Sequence, residues 1–181
     1  FVDAVVSGEG DVVFPEIVKH VLDGKPFSDI PGVFTQNNFD WITTGRLFNA
    51  ERVKNLDDLP VPDYDDYFEA VGKCSIDFDD KNQPRLLMET SRGCWWGERS
   101  HCTFCGLNAD TMSYGSKSAP RALAELNTLT SRYPNRALSM VDNILDMKYF
   151  KDFMPALALQ KTQMDIFYEI KANLKKEQIK L

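Results

Sequence analysis

Cys94, Cys102 and Cys105 lie in one short segment, Cys94-Trp95-Trp96-Gly97-Glu98-Arg99-Ser100-His101-Cys102-Thr103-Phe104-Cys105, directly after the apolar run Leu86-Leu87-Met88. Clustered thiolates are soft ligands suited to zinc or to an iron–sulfur cluster. Three of them, rather than four, leave one coordination position open to a substrate or cofactor. The plainer alternative is a structural zinc ion with His101 or a distant residue as fourth ligand, because Cys-x2-Cys is a common zinc half-site. His101 otherwise suits a polar loop position or a hydrogen-bond donor behind the ligands. The fourth cysteine, Cys74, has no partner at metal-ligand spacing and reads as an ordinary small thiol.

Polar residues gather at the ends of two further apolar runs. Ser139-Met140-Val141 leads into Asp142-Asn143, a pair that either faces a ligand at a strand mouth or turns the chain and caps the next helix. Glu169, Lys171 and Asn173 alternate with Ile170 and Ala172, and a period of two sends the three polar chains to one face of a strand over 166–172. That face reads either as a site lining or as an exposed half-strand. Near the start, Gly8-Glu9-Gly10 follows an apolar run, where Gly8 and Glu9 could line a ligand by close backbone approach. A Gly-x-Gly turn is by itself a weak signal.

The elements that must position these groups follow from hydrophobic spacing. Residues 2–7 predict a buried strand, and Phe14, Ile17, Val18, Val21 and Leu22 predict a helix stopped by Gly24. That order matches the last unit of a doubly wound sheet, so the chain reads as starting inside a domain. Gly32-Val33-Phe34-Thr35 and Trp41-Ile42-Thr43, separated by Asn37-Asn38, predict a hairpin. The Pro- and Asp-rich stretch over 55–68 predicts an ordered linker. Beyond residue 85, strands at 86–90, 137–141 and 166–172 alternate with helices at 120–133, 147–159 and from 175. Three βα units predict a parallel barrel with its active face at the C-terminal strand ends, where the cysteine loop falls. Eight-unit barrels need about 250 residues, so the chain reads as ending within one.

Composition narrows the partners. The 181 residues carry a net charge of −6, and no basic run exceeds Lys175-Lys176, which argues against nucleic acid. No stretch reaches the ~18–20 apolar residues of a membrane span, and the first residues lack a basic n-region followed by a long apolar core, which reads against membrane insertion and secretion. Three grouped cysteines and one isolated suit ligand thiolates in a reducing compartment, predicting the cytoplasm.

Glu89-Thr90-Ser91-Arg92-Gly93-Cys94 followed by Cys102-Thr103-Phe104-Cys105-Gly106 resembles the radical S-adenosylmethionine (SAM) superfamily. There, three cysteines hold a 4Fe-4S cluster whose fourth iron is chelated by SAM. The usual spacing is Cys-x3-Cys-x2-Cys, whereas this chain has Cys-x7-Cys-x2-Cys. The wider gap, with Trp95-Trp96-Gly97 and His101, resembles the radical SAM C-methyltransferases of ribosomal peptide (RiPP) maturation. Residues 2–10 similarly resemble the last strand and turn of the cobalamin-binding domain that precedes such barrels, and 56–64 resemble their interdomain linker.

The resemblance implies an α/β chain comprising the Rossmann-like end of a cobalamin-binding domain with hairpin (1–54), a linker (55–83), and the N-terminal half of a radical SAM partial (β/α) barrel (84–181). It implies Cys94, Cys102 and Cys105 as cluster ligands. Phe104, Asp142, Asn143, Glu169, Lys171 and Asn173 become cofactor-binding residues on the SAM side, and Gly8 and Glu9 on the cobalamin side. No residue is singled out as catalytic. The implied activity is methylation of an unactivated carbon of a precursor peptide, with methylcobalamin as methyl donor, and with a reductant protein such as flavodoxin or ferredoxin as partner. A small-molecule substrate, or a zinc-binding module without catalysis, is the alternative.

Overall fold

The computed structural model describes residues 2–38, 49–74, 78, 83–106, 112–160 and 164–180. It divides into two units, 1–55 and 56–181.

In the first unit, β1 (Val5–Val6) is followed by α1 (Val13–Leu22) and β2 (Val33–Phe34). β1 pairs antiparallel with β2, Val5 opposite Phe34 and Val6 opposite Val33. Val33–Phe34 thus pairs with the first strand; Trp41-Ile42-Thr43, the expected second arm of the hairpin, lies outside the described residues. Val13, Ile30, Val33 and Ala50 form a small core. The predicted burial of the first strand does not hold, because Val5 is 59% exposed. α1 runs as its spacing predicts, yet Phe14, Val18, Val21 and Leu22 on its apolar side remain exposed.

The second unit begins with a 3-10 turn (Leu56–Asp58) and α2 (Asp65–Lys73). Its sheet is parallel, in the order β3 (Leu86–Met88), β6 (Leu138–Met140), β7 (Ile166–Phe167). Register pairs Leu86 with Leu138, Met88 with Met140, and Leu138 with Ile166. Between β3 and β6 lie a two-stranded pair, β4 (Ser91–Arg92) with β5 (Gly115–Ser116), and α3 (Ala119–Arg132). A 3-10 turn (Met147–Phe150) and α4 (Phe153–Leu159) then precede β7, and α5 (Lys176–Ile179) follows it.

Helix α3 starts where Ser118 caps it, its hydroxyl accepting the Arg121 N–H, with Pro120 in the first turn. Ala119, Ala122, Leu126 and Leu129 recur at helical spacing and are buried with Leu86, Met88, Leu138 and Met140. Each buried leucine is worth roughly 1.5–3 kcal/mol, so this stripe holds α3 to the sheet. Leu145, Tyr149 and Phe153 complete the core. The opposite sheet face carries Leu87 and Phe167, both about half exposed.

Three expectations are adjusted. The stretch predicted as a linker belongs to the second unit: Tyr133 Oη donates to Asp65 and accepts the Tyr64 N–H, while the Tyr64 hydroxyl donates to the Leu87 carbonyl. The single helix predicted over 147–159 is two pieces, because Asp146 and Asp152 each accept a backbone N–H and start a new turn. The third strand ends at Phe167, so the face-alternation argument for Glu169, Lys171 and Asn173 does not apply to a regular strand. No helix among the described residues is long and apolar enough to cross a membrane.

Candidate active site

The cysteine segment leaves the C-terminal end of β3 and returns to a stem made by β4 and β5, where Ser91 faces Ser116 and Arg92 faces Gly115. Gly93 sits at the top of the stem with φ +79°, and a Cβ there would lie 2.2 Å from the Ser113 carbonyl oxygen. Only glycine fits that approach without strain. Arg92 makes a two-pronged ion pair with Glu89, at 2.8 and 2.7 Å, across the bend between β3 and β4. The Tyr114 N–H donates to the Glu98 carboxylate at 2.6 Å.

Cys94, Cys102 and Cys105 are half-buried. The Gly97 N–H donates to Cys94 Sγ at 3.3 Å, and the Cys105 N–H donates to the Cys102 carbonyl in a tight turn. By type these donors fit an iron–sulfur cluster or zinc. Among the described residues no three His, Cys, Asp or Glu side chains converge as a metal site. His101 is exposed, and Cys74 lies exposed at the end of α2.

Asp142, at the end of β6, is 2% exposed. Its carboxylate accepts the Thr90 N–H at 2.7 Å, the Thr90 hydroxyl at 2.5 Å and the Ser91 hydroxyl at 2.8 Å. Burial pushes its carboxyl above the ordinary value, and the Thr90 and Ser91 donors partly offset that. Tyr168 Oη lies 2.8 Å from the Thr90 hydroxyl, and Tyr149 Oη donates to the Thr90 and Lys117 carbonyls. Burial raises the phenols of Tyr114, Tyr149 and Tyr168, with Asp142 adding to each. Beneath β5, Lys117 and Glu125 form a buried ion pair at 2.7 Å.

Three strand-end loops meet around the tryptophan pair. Trp95 and Trp96 stand edge to face, centroids 6.3 Å apart. Trp95 Nε1 donates to the Leu145 carbonyl at 3.1 Å, and the Leu145 N–H donates to the Glu169 carbonyl at 2.8 Å. The Lys171 ammonium lies 3.0 Å from the Trp96 ring centroid and 5.7 Å from that of Trp95. The Asn143 amide reaches the Gly93 carbonyl at 3.5 Å. The side chains of Glu169 and Asn173 are exposed, and Phe104, between two of the cysteines, is 90% exposed.

The residues proposed toward cobalamin fall in the first unit. Gly8 turns with φ +96°, and Glu9 is engaged internally, its carboxylate accepting Arg52 Nε at 2.6 Å and the Val53 N–H at 3.1 Å. The structure therefore gathers the cysteine loop, Asn143 and Lys171, and leaves the Asp142 carboxylate occupied by protein donors. Sequence reasoning passed over Thr90 and Ser91 as those donors. The available signal was a pair of hydroxyl residues at the end of one apolar run and an acid at the end of the next. Lys117 with Glu125 was also passed over, although Glu125 interrupts the apolar stripe of α3 at a core position.

No family model matches the chain. It is 26% identical over 176 residues to an uncharacterized methyltransferase of Pyrococcus horikoshii, an alignment covering 91% of this chain and 33% of that protein. The fold is similar to part of the cobalamin-dependent S-adenosylmethionine radical enzyme OxsB. Against OxsB with aqua-cobalamin and SAM bound, the TM-score is 0.61 at 19% identity, over 90% of this chain and 22% of that one. Against OxsB with aqua-cobalamin alone, it is 0.62 at 19% identity, over 97% and 24%. The chain thus spans about a third of the length of the methyltransferase and about a quarter of OxsB.

Proposed function

We propose that this chain is the part of a cobalamin-dependent radical SAM C-methyltransferase that carries the cluster loop, and that its substrate is an unactivated carbon of a ribosomally made precursor peptide. The observation that carries the reading is the placement of three thiols on a loop clamped at the C-terminal end of a strand in a parallel sheet. Fold similarity to OxsB and distant relatedness to a methyltransferase support the enzyme class. The peptide substrate rests on the wide first cysteine gap with its Trp95-Trp96-Gly97 filling.

In this reading the parallel sheet is an arc of a partial barrel, and residues 1–54 belong to a cobalamin-binding domain. Cys94, Cys102 and Cys105 hold a 4Fe-4S cluster, with an electron from a flavodoxin- or ferredoxin-like protein. Bound to this protein, cluster and SAM supply a hydrogen-abstracting radical, and cobalamin supplies the methyl group. The chain's own residues do the rest. Trp95 and Trp96 keep water from the thiols with large rings, and the polar edge of Trp95 is already bonded to the Leu145 carbonyl. The exposed Phe104 ring offers a stacking surface, and Asn143, Glu169 and Asn173 offer hydrogen-bonding groups to the amino, carboxylate and ribose groups of SAM. Asp142 holds Thr90 and Ser91 at the root of the loop. Gly8 and Glu9 shape the turn toward the cobalamin tail.

The test supplies SAM, methylcobalamin, a low-potential reductant and candidate precursor peptides to the native protein under anaerobic conditions. The reading predicts 5′-deoxyadenosine together with a peptide heavier by one methylene. Deoxyadenosine with a methylated small molecule would move the substrate, and neither product, with zinc bound, would replace the reading with a zinc module.

A further inference from the structure

The links from Trp95 to Leu145, from Leu145 to Glu169, and from Lys171 to Trp96 close a ring through the ends of three strands. Each link is made by protein atoms alone. Two are hydrogen bonds to backbone carbonyls, which fix positions without regard to side-chain identity at 145 and 169. The third depends on one charged side chain. Among the described residues Lys171 has no carboxylate partner; the residue is half-buried, and its ammonium lies well within the ~6 Å reach of a cation–π contact with Trp96. The stretch from 168 to 175 has no regular structure to hold it in place otherwise.

We propose that Lys171 is a positioning residue that locks the tryptophan pair, and with it the thiol segment, onto the strand-end loops before any metal is bound. The ammonium acts through Trp96, two residues from Cys94, and so limits how far the Cys94 thiol strays from the sheet. A radical site benefits from such order because ligands held in advance lose less freedom on metal binding. The inference concerns the metal-free protein, so it stands or falls separately from the cofactor reading.

The test is iodoacetamide labelling of the native protein, purified without iron, with each cysteine quantified by mass spectrometry and exposed Cys74 as the internal reference. Lys171→Gln should raise Cys94 labelling relative to Cys74 about five-fold, the scale of one lost cation–π contact, and should weaken the near-ultraviolet dichroism of the Trp95–Trp96 pair. Lys171→Arg, which keeps a cation over the ring, should stay within about two-fold of the parent. In a Trp96→Leu background, Lys171→Gln should add nothing. Parent-like labelling and dichroism in Lys171→Gln, equal effects of Gln and Arg, or additive effects of the Trp96 and Lys171 changes would each overturn the proposal.

Discussion

Asp142 holds Thr90 twice, accepting its backbone N–H at 2.7 Å and its hydroxyl at 2.5 Å, and so ties the end of β6 to the bend where the cysteine loop begins. Removing the carboxylate strands buried donors on Thr90 and Ser91, each costing ~1–3 kcal/mol. Asp142→Ala should therefore destabilise the protein by about 3 kcal/mol in urea unfolding. Asp142→Asn, which still accepts the Thr90 N–H, should lose less. Equal, small losses in both would show that the tie contributes little.

The same carboxylate sets a pH dependence of definite sign. Burial raises its pKa in the fold, so its protonated form favours the native state. That contribution is fully present below the ordinary carboxylate value of 3.8 and is lost as pH rises through the raised value. The stability difference between parent and Asp142→Asn should fall as pH rises through that window. Asp63 and Asp65 run the other way: an N–H from Asp65 to Asp63, and Arg132 and Tyr133 donating to Asp65, lower their carboxyls. Their contribution is present above the ordinary value and lost on acidification. A parent-minus-variant curve that rises with pH would contradict the assignment.

Lys117 and Glu125 are 2% and 0% exposed in their side chains. Lys117→Met leaves a carboxylate buried with Arg121, 3.3 Å away, as its remaining cation, and should cost about 3 kcal/mol. Replacing both, Lys117→Met with Glu125→Leu, should recover most of that loss, because an apolar pair avoids burying an unmatched charge. Thermal unfolding of the single and double variants measures the difference, and a double variant no better than the single one would count against the pair.

The stem of the loop gives a local prediction. Gly93→Ala forces a left-handed backbone and a Cβ against the Ser113 carbonyl, and should cost about 2 kcal/mol or more. Limited proteolysis should then cut within 94–112 well below the temperature of global unfolding. Protection equal to that of the parent would show that the stem tolerates a side chain.

Periodicity made α1, α3 and the three parallel strands legible, because each carries apolar residues at a spacing set by the backbone alone, a stripe that α3 buries and α1 leaves largely exposed. The pairing of Val33–Phe34 with Val5–Val6 was not legible: it depends on how the chain returns after α1, and no local pattern records that. The third strand was read too long because Glu169–Asn173 alternates in type, yet the ladder ends at Ser139 opposite Phe167. The cysteine loop was legible from residue type and spacing. What holds it was not, since the Asp142–Thr90 tie spans 52 residues and the Trp96–Lys171 contact 75.

Iron and acid-labile sulfide analysis of the anaerobically reconstituted native protein decides whether Cys94, Cys102 and Cys105 hold a 4Fe-4S cluster. Iron and sulfide are expected in equal amounts in the parent and in Cys74→Ala, with both lost in the Cys94→Ala, Cys102→Ala, Cys105→Ala triple variant. Stoichiometric zinc with no sulfide in the parent, or iron retained by the triple variant, would contradict it.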